Sequence, residues 1–262
     1  MTTYGLIGYP LGHSFSRKFF TEKFEKEGID AQYLNFEIPS IEEFPKIIES
    51  HPDLRGLNVT IPYKQQVMQY LDDISPEAKA IGAVNVVKVS PQLSTVNSKL
   101  STLNSKPTLT GYNSDVIGFD NSIRPLLKPH HQKALILGTG GASKAIHYGL
   151  TEKLGLETLF VSRTAREGMI TYDDIDASVL KEYEVIVNCS PVGMYPHVDE
   201  CPALPYEVMN EHHLLYDLVY NPLETLFMKK GAAQGATVKN GLEMLHLQAI
   251  ASWEFWGNQE KL

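Results

Sequence analysis

The chain has 262 residues, 43% hydrophobic and 21% charged, with a formal net charge of −8. That length builds one or two domains with proper cores, and the acidic balance argues against a nucleic-acid or anionic-membrane surface. Two cysteines, Cys189 and Cys201, are too few for a disulfide framework; residues 1–8 show no signal-peptide pattern and no window approaches the roughly 18 apolar residues of a span, so a cytoplasmic protein without a membrane segment is expected.

Residues 4–8 read as a short apolar strand. Segment 16–27 places Phe19, Phe20 and Phe24 on one helical face, and Gly28 stops it. Between them, Gly12-His13-Ser14-Phe15-Ser16 offers two hydroxyls two residues apart. Either one caps the helix, or the pair holds a carboxylate at the helix N-terminus; His13 is a base or, the preferred reading, a residue that orients this loop. A second strand is expected over 33–38. Ser40-Ile41-Glu42-Glu43 has the form of a capping box opening a helix through 49.

A third strand is expected over 54–61, a short helix over 65–71 and a strand over 84–89. The alternation predicts a mostly parallel sheet with covering helices. The run Asn58-Val59-Thr60-Ile61-Pro62-Tyr63-Lys64 lies at the carboxyl end of the third strand, the end at which open α/β sheets bind ligands. Pro62 ends the ladder. Lys64 is then either a solvated surface lysine or a group that exchanges a proton with a substrate hydroxyl. Gly82-Ala83-Val84-Asn85 and Gly111-Tyr112-Asn113-Ser114-Asp115 set single polar groups beside glycines. Asn85 and Asp115 are ordinary turn residues or groups that fix a ligand hydroxyl where backbone comes close. A carboxylate near Lys64 would hold its ammonium.

Between residues 90 and 110 the pattern breaks. Leu93-Ser94-Thr95-Val96-Asn97-Ser98-Lys99 is followed at once by Leu100-Ser101-Thr102-Leu103-Asn104-Ser105-Lys106, a tandem duplication identical at six of seven positions. Ser, Thr and Asn disfavour helix, and an elongated exposed hairpin loop is expected.

A helix over 116–127 links the halves, with a boundary at 128–131. The strand 134–137 then leads into Gly138-Thr139-Gly140-Gly141-Ala142-Ser143 and a helix over 143–154. Strand, glycine turn and helix N-terminus cradle a pyrophosphate with backbone N–H groups. Ser143 stands where the dinucleotide fingerprint prefers Gly or Ala. The strand 158–161 ends not in an acidic residue but in Ser162-Arg163-Thr164-Ala165-Arg166. Two guanidiniums suit a 2′-phosphate, which makes NADP the expected cofactor. Strands follow over 184–188 and 214–218. The last helix, 242–256, carries Leu242, Leu245, Ala249, Trp253 and Trp256 on one face, has no strand after it and is expected to pack back on the first domain. The pairs His130-His131 and His212-His213 show no ligand spacing that demands a metal, and none is expected.

Taken together, Gly12-His13-Ser14-x-Ser16, Asn58 to Lys64, Gly82 to Asn85, Asn113-Ser114-Asp115, the glycine turn, Ser162-Arg163-Thr164, Asp217-Leu218-Val219-Tyr220-Asn221-Pro222 and Asn240-Gly241-Leu242-Glu243-Met244-Leu245-x-x-Gln248 resemble, in order, the shikimate dehydrogenase family. The resemblance runs from about residue 4 to 250. It implies a two-domain α/β protein: an N-terminal α/β substrate domain, 1–115, to which 242–262 returns, and a C-terminal Rossmann-like NADP-binding domain, 116–241. It implies reversible hydride exchange between NADP and shikimate, giving 3-dehydroshikimate, in a monomer or homodimer. Lys64 and Asp115 take the catalytic positions. Ser14 and Ser16 fall on the carboxylate-binding hydroxyls, Thr60, Asn85, Asp115 and Gln248 on the ring-hydroxyl contacts, and Tyr220 near both ligands. Cofactor contacts fall on Gly138, Gly140, Gly141, Ala142, Ser143, Ser162, Arg163, Thr164, Leu218 and Gly241, with Arg166 as a second basic residue. The chain departs from the family at Ser162, Ser114 and Val116, where Asn, Thr and Gly are usual. A quinate or dual-specificity relative, or a non-catalytic sensor of the same fold, are the alternatives; Lys64 and Asp115 together argue against the sensor.

Overall fold

The computed structural model describes residues 1–12, 15–91, 94–96, 99–101 and 106–258. The chain divides into two compact units, Met1–Ser114 with Ala249–Leu262, and Asp115–Gln248.

In the first unit, β1 (Thr2–Gly8) is buried along nearly its whole length and pairs in parallel with both β2 (Ala31–Glu37) and β3 (Leu54–Val59). A strand covered on both faces reads as a continuous apolar run, which is why Tyr4 to Gly8 stands out in the sequence. Helices α1 (Phe15–Glu27) and α2 (Phe44–Ser50) make the connections, and Gly28 leaves α1 at φ +63°, a conformation that a Cβ would strain. The capping box expected at Ser40 does not form. Its side chain makes no capping bond, because a 3₁₀ turn (Ile41–Glu43) precedes α2 and Pro45 lies in the first turn.

The sheet continues past β4 (Asp73–Ile74), α3 (Pro76–Ile81), β5 (Val86–Ser90), β6 (Ser94–Val96), β7 (Lys99–Ser101) and β8 (Thr108–Tyr112), in the order β2-β1-β3-β5-β8-β4. Here β5 runs antiparallel to both β3 and β8, so the sheet is more mixed than the alternating pattern predicts. β5 and β8, joined only through the β6–β7 excursion, pair antiparallel as hairpin neighbours do; between β3 and β5 the chain passes through β4 and α3 before it returns antiparallel. β8 alternates in burial as a half-covered strand does; adjacency to the Ser- and Asn-rich duplication hides it in the sequence. β6 and β7 pair antiparallel as a separate two-stranded sheet, while positions 93, 97–98 and 102–105 of the duplication lie outside the described residues.

An aromatic cluster closes this unit. Tyr4, Phe20, Phe24 and Tyr33 pack with Trp253 and Trp256 of the C-terminal helix. Trp256 donates its indole N–H to the Val87 carbonyl at 3.1 Å, and any Cβ on Gly56 would overlap the indole. Glycine at 56 is therefore required for the helix to lie there.

The second unit opens with α4 (Asp115–Ile123). It continues through β9 (Lys133–Leu137), α5 (Gly141–Tyr148), β10 (Glu157–Ser162), β11 (Met169–Thr171), α6 (Ala177–Glu182), β12 (Val185–Asn188), β13 (Leu214–Asp217), α7 (Leu226–Ala232) and β14 (Thr237–Lys239). The pairings are parallel and the order is β11-β10-β9-β12-β13-β14. Counted within the unit this is 3-2-1-4-5-6, the doubly wound dinucleotide-binding order, with its switch point beside β9. The edge strands β11 and β14, three residues each, are too short to show a period. α5 passes into a π turn (Gly149–Lys153). Helix α8 (Leu242–Phe255) ends the described fold, its residues through Gln248 in the second unit and those from Ala249 in the first. Among the described residues no helix is long and apolar enough to cross a membrane.

Candidate active site

In the first unit, the polypeptide leaves β3 through Thr60, whose N–H donates to the Ile7 carbonyl at 2.9 Å. The Thr60 methyl lies where a Cβ of Gly8 would be. Tyr63 N–H donates back to the Thr60 carbonyl at 2.9 Å, and Val84 N–H donates to the Lys64 carbonyl at 2.7 Å. These bonds fix a tight turn at the carboxyl end of β3 and hold Lys64 half-buried.

Behind that turn runs a buried polar chain. Ser16 is hydrogen-bonded to the Tyr33 hydroxyl. Tyr33 donates to Asn58 Oδ1 at 2.7 Å, and Asn58 Nδ2 donates to Ser252 Oγ at 2.9 Å. Ser252 meets Ser114 Oγ at 3.2 Å. Asn85 clasps Ser114 twice: its Nδ2 donates to Ser114 Oγ at 3.0 Å, and its Oδ1 accepts from Ser114 N–H at 2.7 Å. Asn58, Asn85, Ser114 and Ser252 are all buried, so each bond replaces one that water would otherwise supply. The hydroxyl at 114, where the family has Thr, is thus in use. Ser14 and His13 lie outside the described residues.

In the second unit, Asp115 is the first residue of α4 and is buried. One turn on, a Cβ at Gly118 would press within 3.0 Å of the Gln248 N atom. α4 and α8 therefore touch at Gln248, on the face that Asp115 shares. Val116 is buried in the same layer and packs near Gly149.

The glycine turn follows β9. Gly138 has φ +109° and sits close against the Cys189–Ser190 backbone, where a Cβ would come within 3.4 Å of the Ser190 N atom. Gly140 begins α5 without a side-chain cap, and a Cβ there would meet nothing within 4 Å. The first N–H groups of a helix have no intrahelical partner, so those of Gly141 and Ala142 stand available beside the open space at Gly140. Ser143 does not face it. Its Oγ donates to the Gly140 carbonyl at 2.6 Å and is buried, which tightens the turn. Since Val161 pairs with Leu137, the end of β10 lies beside this turn. Ser162 accepts from Thr164 N–H at 3.3 Å, and the chain then exposes Arg163 and Arg166.

A third strand end completes the rim. Asp217 is fully buried, and burial pushes its carboxyl up to about 6. Three donors offset that cost: Thr225 Oγ1 at 2.6 Å, Asn188 Nδ2 at 2.9 Å and Val219 N–H at 3.0 Å. They fix the loop carrying Leu218 and Tyr220. A Cβ on Gly241 would overlap the Leu218 carbonyl, so these two backbones are in direct contact. Residue reading did not single out Tyr33, Asn58, Ser252, Asn188, Asp217 or Thr225 as site residues. Asn58 and Asp217 stand inside quoted motifs; Tyr33 and Ser252 carry no sequence signal beyond polarity in an apolar stretch.

The family profile of the shikimate dehydrogenase substrate binding domain matches residues 6–87. A Clostridium beijerinckii protein named shikimate dehydrogenase (NADP(+)) is 37% identical over 268 residues, covering 98% of this chain and 92% of its own. The chain belongs to the shikimate dehydrogenase family. Among solved structures, a chorismate mutase/shikimate 5-dehydrogenase fusion protein from Clostridium acetobutylicum aligns at a TM-score of 0.81 with 36% identity, over 100% of this chain and 92% of that one. Shikimate 5-dehydrogenase from Thermus thermophilus, solved with NADP(H) and shikimate, aligns at 0.81 with 29% identity, over 100% and 95%. As in this family, the shikimate dehydrogenase chain builds two α/β units, the second around a Rossmann-like sheet.

Proposed function

We propose a division of labour for the reaction of this NADP-dependent shikimate dehydrogenase, in which the first unit holds the acid and the second the coenzyme. Ser14 and Ser16 take the substrate carboxylate. Thr60, Asn85 and Gln248 orient ring hydroxyls, and Tyr220 borders the ring. Lys64 accepts the proton of the reacting hydroxyl as hydride leaves the same carbon, and returns it to the carbonyl oxygen in the reverse direction; Asp115 is the catalytic carboxylate. Gly140, Gly141 and Ala142, on the turn closed by Ser143, offer N–H groups to the pyrophosphate, and Gly138, whose own N–H donates to the Val161 carbonyl, lets the backbone turn close beside it. Arg163, with Ser162, Thr164 and Arg166, takes the 2′-phosphate, while Leu218 and Gly241 line the loop opposite. The bound coenzyme supplies the hydride acceptor in oxidation and the donor in reduction. Both cysteines are free, which suits work in a reducing cytoplasm.

One observation carries catalysis over mere binding. Lys64 stands half-buried on a turn whose backbone is held by bonds on both sides, and an ammonium able to exchange a proton is a group that binding alone does not require. Steady-state rates with shikimate and quinate, each with NADP and NAD, test the reading. The expected order puts shikimate with NADP first. Preference for quinate would replace the substrate assignment, and no turnover with any pair would overturn catalysis.

A further inference from the structure

Far from the glycine turn, two histidine pairs share one construction. His131 is buried, and its Nδ1 accepts from Lys128 N–H at 3.0 Å. Its Nε2 therefore carries the proton and donates to the His212 carbonyl at 2.8 Å. His213 is also buried; Nδ1 accepts from Asn210 N–H at 3.1 Å and Nε2–H donates to the Leu180 carbonyl at 3.0 Å. In each pair the second ring is locked to backbone at both nitrogens, and the first is left on the surface. The locked rings tie the two loops together, so that His130 and His212 face each other with ring centroids 5.1 Å apart. Glu184 joins them, its Oε2 lying 4.0 Å from His130 Nε2. Ligand atoms of all three lie within 4.8 Å of one another.

We propose that His130, Glu184 and His212 form a binding site for a divalent transition-metal ion of the zinc type, one that neither the motifs nor the family reading assigns. Two imidazoles and a carboxylate are a ligand set for Zn²⁺, with a fourth position left to water. Bonds of about 2.1 Å in tetrahedral array put ligand atoms roughly 3.4 Å apart, so the two exposed histidines and the half-buried Glu184 close by about an ångström. Closing costs little. The His130 Nε2 contact with the His212 carbonyl is long, at 3.3 Å, and that carbonyl keeps its shorter bond from His131 when His130 turns to a metal. Imidazole donors select Zn²⁺, Ni²⁺ or Cu²⁺ over Mg²⁺ and Ca²⁺.

The location defines the role. His130, Glu184 and His212 lie within three residues before the starts of β9, β12 and β13, three adjacent strands. The glycine turn, Ser190 and Leu218 follow the same strands at their other ends. Strands of four or five residues, at about 3.3 Å each, separate the two rims. The ion fastens three loops at the amino rim and takes no part in hydride transfer. Sequence spacing could not reveal it, because its ligands come from three distant loops.

The test titrates untagged full-length protein with Co²⁺ and then with Zn²⁺. The expected result is a single equivalent of Co²⁺ with the visible d–d bands of a four-coordinate site, displaced by Zn²⁺, and a melting temperature raised by Zn²⁺ but not by Mg²⁺. His130→Ala and His212→Ala should each weaken Co²⁺ binding at least tenfold, and Glu184→Gln should weaken it less. Each should leave kcat unchanged, since the site lies at the strand ends opposite the glycine turn, and the two histidine variants should leave the metal-free melting temperature unchanged, since both rings are exposed. Absence of the bands, or bands that persist undiminished in both His variants, would overturn the proposal.

Discussion

The polar groups of the two units are organised in opposite ways. In the first, Ser16, Tyr33, Asn58, Ser252, Ser114 and Asn85 form one chain of side-chain bonds, almost wholly buried. In the second, the glycine turn and Arg163 present backbone N–H groups and charge at an exposed rim. A buried chain holds its end groups in fixed positions, and breaking it leaves orphaned polar atoms. An exposed rim is ordered by the ligand it meets, and truncating it removes affinity while leaving the fold intact. The difference separates stability from affinity, and variants should sort by region.

The largest effect is expected at Lys64, at the edge of the first region. Lys64→Ala should lower kcat by roughly 10²–10⁴, with a smaller change in shikimate affinity. Near-normal kcat at neutral to mildly alkaline pH would remove Lys64 from the proton transfer. Next comes Arg163 on the open rim. A charge-assisted bond to a 2′-phosphate is worth about 1.5–3 kcal/mol. Arg163→Ala should raise KM for NADP correspondingly, leave NAD use almost unchanged, and leave thermal melts unmoved. Equal losses with both coenzymes would show that Arg163 packs rather than pairs.

Asn58 tests the buried region. Asn58→Ala removes the acceptor of the Tyr33 hydroxyl and the donor to Ser252, leaving them their bonds to Ser16 and Ser114, and should destabilise by about 1–3 kcal/mol. Because Ser16 and Asn85 lie along the same chain, KM for shikimate should rise while KM for NADP stays. Unchanged melts would mean that the chain is redundant, and the contrast between the units would fail. Asp217 is the exception that sharpens it, a buried polar centre in the second unit. Its carboxyl is pushed up to about 6 by burial. Between the ordinary carboxylate range and pH 6 the native state then binds more protons than the unfolded chain. Its contribution to stability therefore falls as pH rises through that window, with a limiting slope of about 1.4 kcal/mol per pH unit. Relative to Asp217→Asn, the wild type should gain melting temperature as pH is lowered from about 7 to about 5. Parallel melting curves would show that Asp217 titrates normally.

Much of this was legible in the sequence, and the physical reason differs by element. β9 and β12 are central, buried on both faces, and read as uninterrupted apolar runs. The glycine turn was legible because Gly138 needs positive φ against the Ser190 backbone. β4, β11 and β14 have two or three residues each, too few for a period to emerge. Ser40 had the right spacing for a capping box and lost it to a 3₁₀ turn, a local competition that spacing does not encode. Lys64 was marked by its motif and Asn85 by its glycine-rich turn. The chain that joins Asn85 to Ser16 passes through Ser252, far along the sequence, and long-range pairing leaves no local pattern.

The smallest effect is expected at the duplication, which belongs to neither organised region. One seven-residue copy is redundant with the other at six positions, and β6 and β7 pair with each other in a sheet separate from the unit's main one. The flanking strands β5 and β8 are held by their own ladder from Val86–Tyr112 to Ser90–Thr108. Removing residues 93–99 shortens the connection between two strands that are already paired. Loop-closure entropy then changes by only about 0.6 kcal/mol per doubling of length, and a shorter connection moves it in the stabilising direction. The lost β6–β7 bonds work against that gain, so the melting temperature should stay nearly constant, with kcat and both KM values unaltered. A fall in activity, or a changed elution volume on sizing, would give the duplicated segment a part in the site or in assembly. The division between a buried, self-bonded region and an open, ligand-ordered one would then need a third member.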